Sequence, residues 1–295
     1  MPELHTLKNN HLTVTASSFG AELQSVTGAD GVEYLWNGDP AYWSGRSPHL
    51  FPFVGSLRGG RAACSKGEVR LPQHGLARKT PYQTETAAET SVTYRLCSTE
   101  ESLKGYPYDF VFRVRHSLDG PALTTTYIVE NTGKDPMPFT VGGHPAFRVP
   151  LVLGEAFEDY RIEFERPETI DCPQVELPTA LIVDTARNRL VTDSRFLHLN
   201  HVLFRGEALV MDSLRSRSVR LISAKSGRGV QMDFAGMDFF ALWTPVSKDA
   251  PFLCLEPWTG TGTQVTEDDV FEHKQGMRIL EPGETCTVSF TMTML

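Results

Sequence analysis

FVFRVRHSLDGPALTTTYIVEN, residues 110–131, is the stretch on which the fold turns. Phe110, Phe112 and Val114 recur at every second position before the Asp119-Gly120-Pro121 break, and Leu123, Thr125, Tyr127 and Val129 do so after it. A period of two puts each set on one face of a pleated strand. The Asp-Gly-Pro break is good turn chemistry. The stretch therefore reads as two strands joined across Ser117–Pro121.

The same pattern spreads outward. CTVSFTMTM (286–294) sets Cys286, Val288, Phe290, Met292 and Met294 against a face of Ser and Thr. Further strands are expected over 11–16, 91–98, 160–165, 208–214, 218–224, 229–236 and 239–245, with SAKSGRG as a hairpin loop. Helical patterns are scarce. TEDDVFEHKQG (266–276) predicts a short helix capped by Thr266 and stopped by Gly276, and DPAYW (39–43) a single turn. The segment 146–200 shows no clear periodicity outside 160–165. No repeat or linker divides the chain, so one all-β unit over 1–295 is expected, an antiparallel sandwich with long functional loops.

Composition bounds the function. The 295 residues are 40% hydrophobic, enough for a sizeable core, and carry a formal net charge of −8. That charge argues against a nucleic-acid footprint and gives no reason to expect attraction to anionic lipid. Five dispersed cysteines without a CxxC pair suggest reduced thiols. With no signal-peptide pattern and no apolar run of about 18 residues, the expected location is the cytoplasm.

Three segments break the apolar pattern in the same way, each holding a titratable residue among glycines, prolines and aromatics. They are LPQHGLARKT with His74 and Arg78, FTVGGHPAF with His144, and LCLEPWTG with Glu256. Glycine and proline hold such loops in one shape at strand ends, where binding residues tend to sit. Alone, each has a bland reading: a satisfied core histidine, a structural acid bonded to backbone N–H groups, a surface arginine. Together they supply two imidazoles and a carboxylate. Zinc is the obvious competitor, but there is no HExxH and no close ligand pair among them. The nearest to a ligand spacing is His198-Leu-Asn-His201, with no carboxylate or cysteine beside it. No GxSxG elbow, GxGxxG or P-loop occurs. Acid–base chemistry without metal or organic cofactor remains. Trp258, Trp243, Phe147 and Phe139 could offer apolar faces to a sugar ring, or could simply fill the core.

Taken in order, these residues resemble the aldose 1-epimerases, or galactose mutarotase-like proteins, and within them the LacX-like branch. The resemblance runs through SFGAELQSV (18–26), YLWNGDPAYW (34–43), SPHLFPFVGSLRGGR (47–61), QHGLAR (73–78), GGHPAF (142–147), LWTP (242–245), LEPWTG (255–260) and LEPGET (280–285). It implies a β-supersandwich with a carbohydrate groove, no cofactor, and interconversion of the α and β anomers of a hexose. It implies Glu256 as general base at the anomeric hydroxyl, His144 as acid at the ring oxygen and His74 as the second, substrate-holding histidine. Arg58 resembles the family's substrate arginine, and Glu207 is a loose match to an aspartate that grips sugar hydroxyls. Related hexose-6-phosphate epimerases use arginines for phosphate, so Arg58, Arg61 and Arg78 keep a phosphorylated sugar open. A non-catalytic sugar-binding protein on the same fold is the other alternative.

Overall fold

In the computed structural model, which describes residues 2–206, 208–245 and 248–295, the central hairpin forms as Phe110–Asp119 against Ala122–Asn131. Pairing continues to Asp119 opposite Ala122, so the turn is tighter than Ser117–Pro121. Gly120 takes the positive φ, 53°, that this tight connection demands. Phe110, Phe112, Val114, Leu123, Tyr127 and Val129 all face the core. Thr285–Met294 pairs with the outer side of Ala122–Asn131 and adds Val288, Phe290, Met292 and Met294, whereas Cys286 is only partly buried.

These three strands lie within a nine-stranded antiparallel sheet. Its order is Leu181–His198, Tyr160–Glu176, Ser218–Ser223, Gly229–Asp233, Thr285–Met294, Ala122–Asn131, Phe110–Asp119, Ser91–Cys97 and Gln83–Ala88. A smaller sheet packs over it, ordered Leu209–Met211, Phe239–Trp243, Phe252–Trp258, Gly142–Gly143 and His49–Leu50, with Ala146–Arg148 also pairing to Phe252–Trp258. Between the sheets, Phe51 stacks on Phe112 with ring centroids 4.5 Å apart. Each such buried ring stabilises the fold by about 1.5–3 kcal/mol. The alternation of Phe252–Trp258 positions the site. Leu253 and Leu255 enter the main core, while Cys254, Glu256 and Trp258 point to the opposite face.

Three local expectations change. The segment 146–200 is not irregular: Tyr160–Glu176 and Leu181–His198 form one long hairpin. Its register shifts at four places between Glu163 and Gln174, Glu165, Arg166 and Pro167 are exposed, and Leu181–His198 runs at the sheet edge with few buried side chains, so little alternation shows in the sequence. The helix expected over 266–276 shrinks to a 3₁₀ turn, Phe271–His273. Thr266 bonds Asp184 instead of capping it, and Phe271 and Lys274 are drawn inward, Lys274 onto Thr263 and Glu267. A helix that the periodicity did not suggest, Glu100–Gly105, starts at Thr99 with a capping box to Ser102. At 39–43 the single turn is present, Trp43 N–H donating to Asp39 O at 2.9 Å. All five cysteines are free.

Candidate active site

The outward face of the smaller sheet carries a cavity of about 190 Å³. Glu256 lies beside Ala241 of the neighbouring strand and is 1% exposed. His144 reaches it through strand register. Gly142 sits opposite Trp258 and Ala146 opposite Cys254, which brings His144 level with Glu256. His144 Nε2 lies 3.2 Å from Glu256 Oε2. The two glycines before His144 are required by packing. A Cβ on Gly142 would meet Trp258 Cδ1 at 2.4 Å, and one on Gly143 would meet Phe290 at 2.7 Å.

The His144 ring stacks on Trp43 at 5.0 Å and meets the Trp243 ring edge-on at 5.5 Å. His74 stands at 90° to it, centroids 5.9 Å apart. Gly55 and His74 hold each other twice: His74 N–H donates to Gly55 O at 2.7 Å, and Gly55 N–H donates to His74 Nδ1 at 3.1 Å. That second bond puts the proton of neutral His74 on Nε2. His74 adopts φ 66°, and Gly75 follows at 73°. A Cβ on Gly75 would lie 2.2 Å from Phe51 O, so this loop needs glycine there.

Electrostatics follow from dryness. Burial pushes His144 down to about 3, with Arg78 acting in the same direction. The carboxylate at 3.2 Å opposes this by favouring imidazolium. At this distance the protonation of either group depends on the charge of the other. Burial also holds His74 well below the ordinary range, helped by His144 and Arg78. The Cys254 thiol is pushed well up by burial and then by Glu256. One His144 nitrogen, Cys254 Sγ and a Glu256 oxygen lie within 4.8 Å of one another, a ligand-like set that the sequence spacing did not reveal.

Of the residues singled out in the sequence, His74, Arg78, His144 and Glu256 line the cavity together. Arg78 donates from Nη2 to Gln73 O at 3.0 Å, and its buried Nε has no partner. Arg58 is not with them. Its Nε bonds both oxygens of Asp269 at 2.9 Å, and its Nη2 donates to Gln264 O, Val265 O and Glu267 O, clamping the 264–269 loop. Glu207 lies outside the described residues. Trp43, Trp243 and Trp258 line the cavity, whereas Phe139 and Phe147 are wholly buried in the main core. Gln73 and Trp43 were missed as site residues although both fall in or beside the quoted motifs. The aliphatic side, Val175, Ala180, Ile182, Ala208 and Val210, carried no sequence signal because most of it comes from the long hairpin.

A two-sheet antiparallel sandwich with a buried His–Glu pair in a tryptophan-walled cavity defines the class, and sequence comparison agrees. The aldose 1-epimerase family profile matches residues 3–293, and the chain belongs to that family. It is 38% identical over 295 residues to the plasmid-borne protein LacX of Lactococcus lactis subsp. lactis, covering 98% of each chain, and equally similar to the chromosomal form. A galactose mutarotase related enzyme from Lactobacillus acidophilus superimposes with a TM-score of 0.93 at 32% identity, covering 99% of this chain and 97% of that one. A galactose mutarotase-like protein from Lactobacillus casei ATCC 334 gives 0.91 at 26%, covering 99% and 100%. The fold is galactose mutarotase-like. No helix among the described residues is long and apolar enough to cross a membrane.

Proposed function

We propose that the chain, working as one unit, is an aldose 1-epimerase that interconverts the α and β anomers of a free hexose in the cavity beside Glu256. The observation that carries this reading is the 3.2 Å contact between His144 Nε2 and Glu256 Oε2 at the floor of that cavity. Glu256 takes the proton of the anomeric hydroxyl. The C1–O1 bond becomes a carbonyl, the C1–ring-oxygen bond breaks, and its electron pair accepts the proton from His144. Rotation about C1–C2 and the reverse transfers close the ring on the other face. The overall reaction is close to thermoneutral, so one shared proton suits both directions. His74 Nε2–H and Arg78 hold hydroxyls, and the tryptophans cover the C–H face of the ring. A pure binding module needs no such proton-sharing pair.

With Arg58 committed to Asp269, a phosphorylated sugar would have Arg78 as its cation among the described cavity-lining residues, and we favour the neutral hexose. The test is NMR exchange between the anomers of D-glucose and D-galactose at equilibrium. Exchange well above the uncatalysed rate is expected. Binding without acceleration would leave the sugar-binding alternative in its place.

A further inference from the structure

We propose that His144 and Glu256, which line the cavity, form a zinc site with Cys254 buried just behind them, and that Zn²⁺ held there excludes the sugar. Cys254 and Glu256 stand two residues apart on the same face of one strand, and His144 comes from the segment paired alongside. Their donor atoms lie within 4.8 Å of one another. Zn–S, Zn–N and Zn–O bonds of about 2.0–2.3 Å in a tetrahedron put donors about 3.3–3.6 Å apart. The His144–Glu256 edge is already 3.2 Å, so only the thiol side has to close in.

The donor set also selects the ion. A thiolate with an imidazole favours zinc over magnesium or calcium, which prefer all-oxygen sites. The buried Nδ1 of His144 has no hydrogen-bond partner, while Nε2 already faces Glu256. Cys254 gives its proton to solvent as the ion enters, since a zinc-bound thiol is held as thiolate. One thiolate and one carboxylate then neutralise the two charges of the ion, which a buried site requires. The fourth position opens towards the cavity, where a sugar's anomeric hydroxyl would lie. Metal and sugar therefore compete for Glu256 and His144. This competition rests on the epimerase reading, whereas the site itself does not.

The first measurement avoids turnover. Co²⁺ is titrated into the intact protein while thiolate-to-metal charge-transfer absorption is followed, and Zn²⁺ is then used to displace it. One ion per chain with that absorption is expected. Cys254→Ala and Cys254→Ser should abolish the absorption and weaken Zn²⁺ by at least about 10–100-fold, the loss seen even for outer-shell partners. Glu256→Gln should weaken it on the same scale, so the test does not depend on one substitution folding. No thiolate absorption in the wild type, or absorption that persists in a folded Cys254 variant, overturns the site. In the sugar assay, Zn²⁺ should raise the apparent KM and a chelator should reverse this. A site that binds metal in a protein that turns over no sugar keeps the zinc inference and removes the epimerase reading.

Discussion

Replacing Glu256 by glutamine separates a catalytic carboxylate from a structural one. The amide is nearly the same size, and its oxygen can still accept from His144 Nε2 across the 3.2 Å contact. Packing is thus conserved in a residue that is 1% exposed. What disappears is the basic oxygen. Loss of a general base costs about 10²–10⁴ in kcat, equal to roughly 2.7–5.4 kcal/mol of barrier. Stability should change little, because the amide fills the same volume and its oxygen keeps the contact with His144. The expected signature is therefore anomer exchange at least about 100-fold slower, sugar affinity within about threefold, and an unfolding midpoint close to wild type. NMR exchange rates, a sugar titration and urea denaturation read the three quantities. Wild-type turnover in the variant, or lost activity together with a stability loss above about 3 kcal/mol, would refute the argument and make Glu256 a structural acid.

His144→Asn should lower kcat on the same scale as Glu256→Gln, whereas His74→Asn should also raise KM; steady-state anomerisation rates separate the two. Arg78→Lys should raise KM for the sugar, because ammonium lacks the planar fork. Arg58→Lys should leave KM unchanged and lower the urea midpoint, since it loosens the clamp on Asp269 and the 264–267 carbonyls. Acid should destabilise the fold through His49 and His116, which burial holds at about 3 and about 4 and which both reach Ala21 O through Nε2. Their folded values lie below the ordinary 6.5, so this contribution is complete above pH 6.5 and is lost as pH falls. At about 1.4 kcal/mol per pH unit for each, it amounts to on the order of 5 kcal/mol by pH 4.5. A urea midpoint that stays flat from pH 6.5 to 5 would contradict their burial as neutral imidazoles.

What the sequence determined by itself is local and periodic. The alternation in 110–131 and 286–294 announced strands with one apolar face, because side chains on a strand alternate without help from distant residues. The glycines and prolines around His74, His144 and Glu256 announced rigid loops for the same reason. What it could not carry is set by partners far along the chain. His144 and Glu256 become a pair only through the register that places Gly142 opposite Trp258. Arg58 looked like a site residue from its motif, yet Asp269, 211 positions away, claims it. The hairpin 160–198 hid its second strand because, at the edge of the sheet, that strand buries few side chains, and part of the aliphatic side of the cavity went with it. Cys254 reads as one more apolar residue in LCLEPWTG, and only the pairing of its strand with Ala146–Arg148 turns it towards His144 and Glu256. Periodicity is written in each segment, but the choice of neighbour is made by the sheet, where burial of two distant faces against each other decides which polar groups meet.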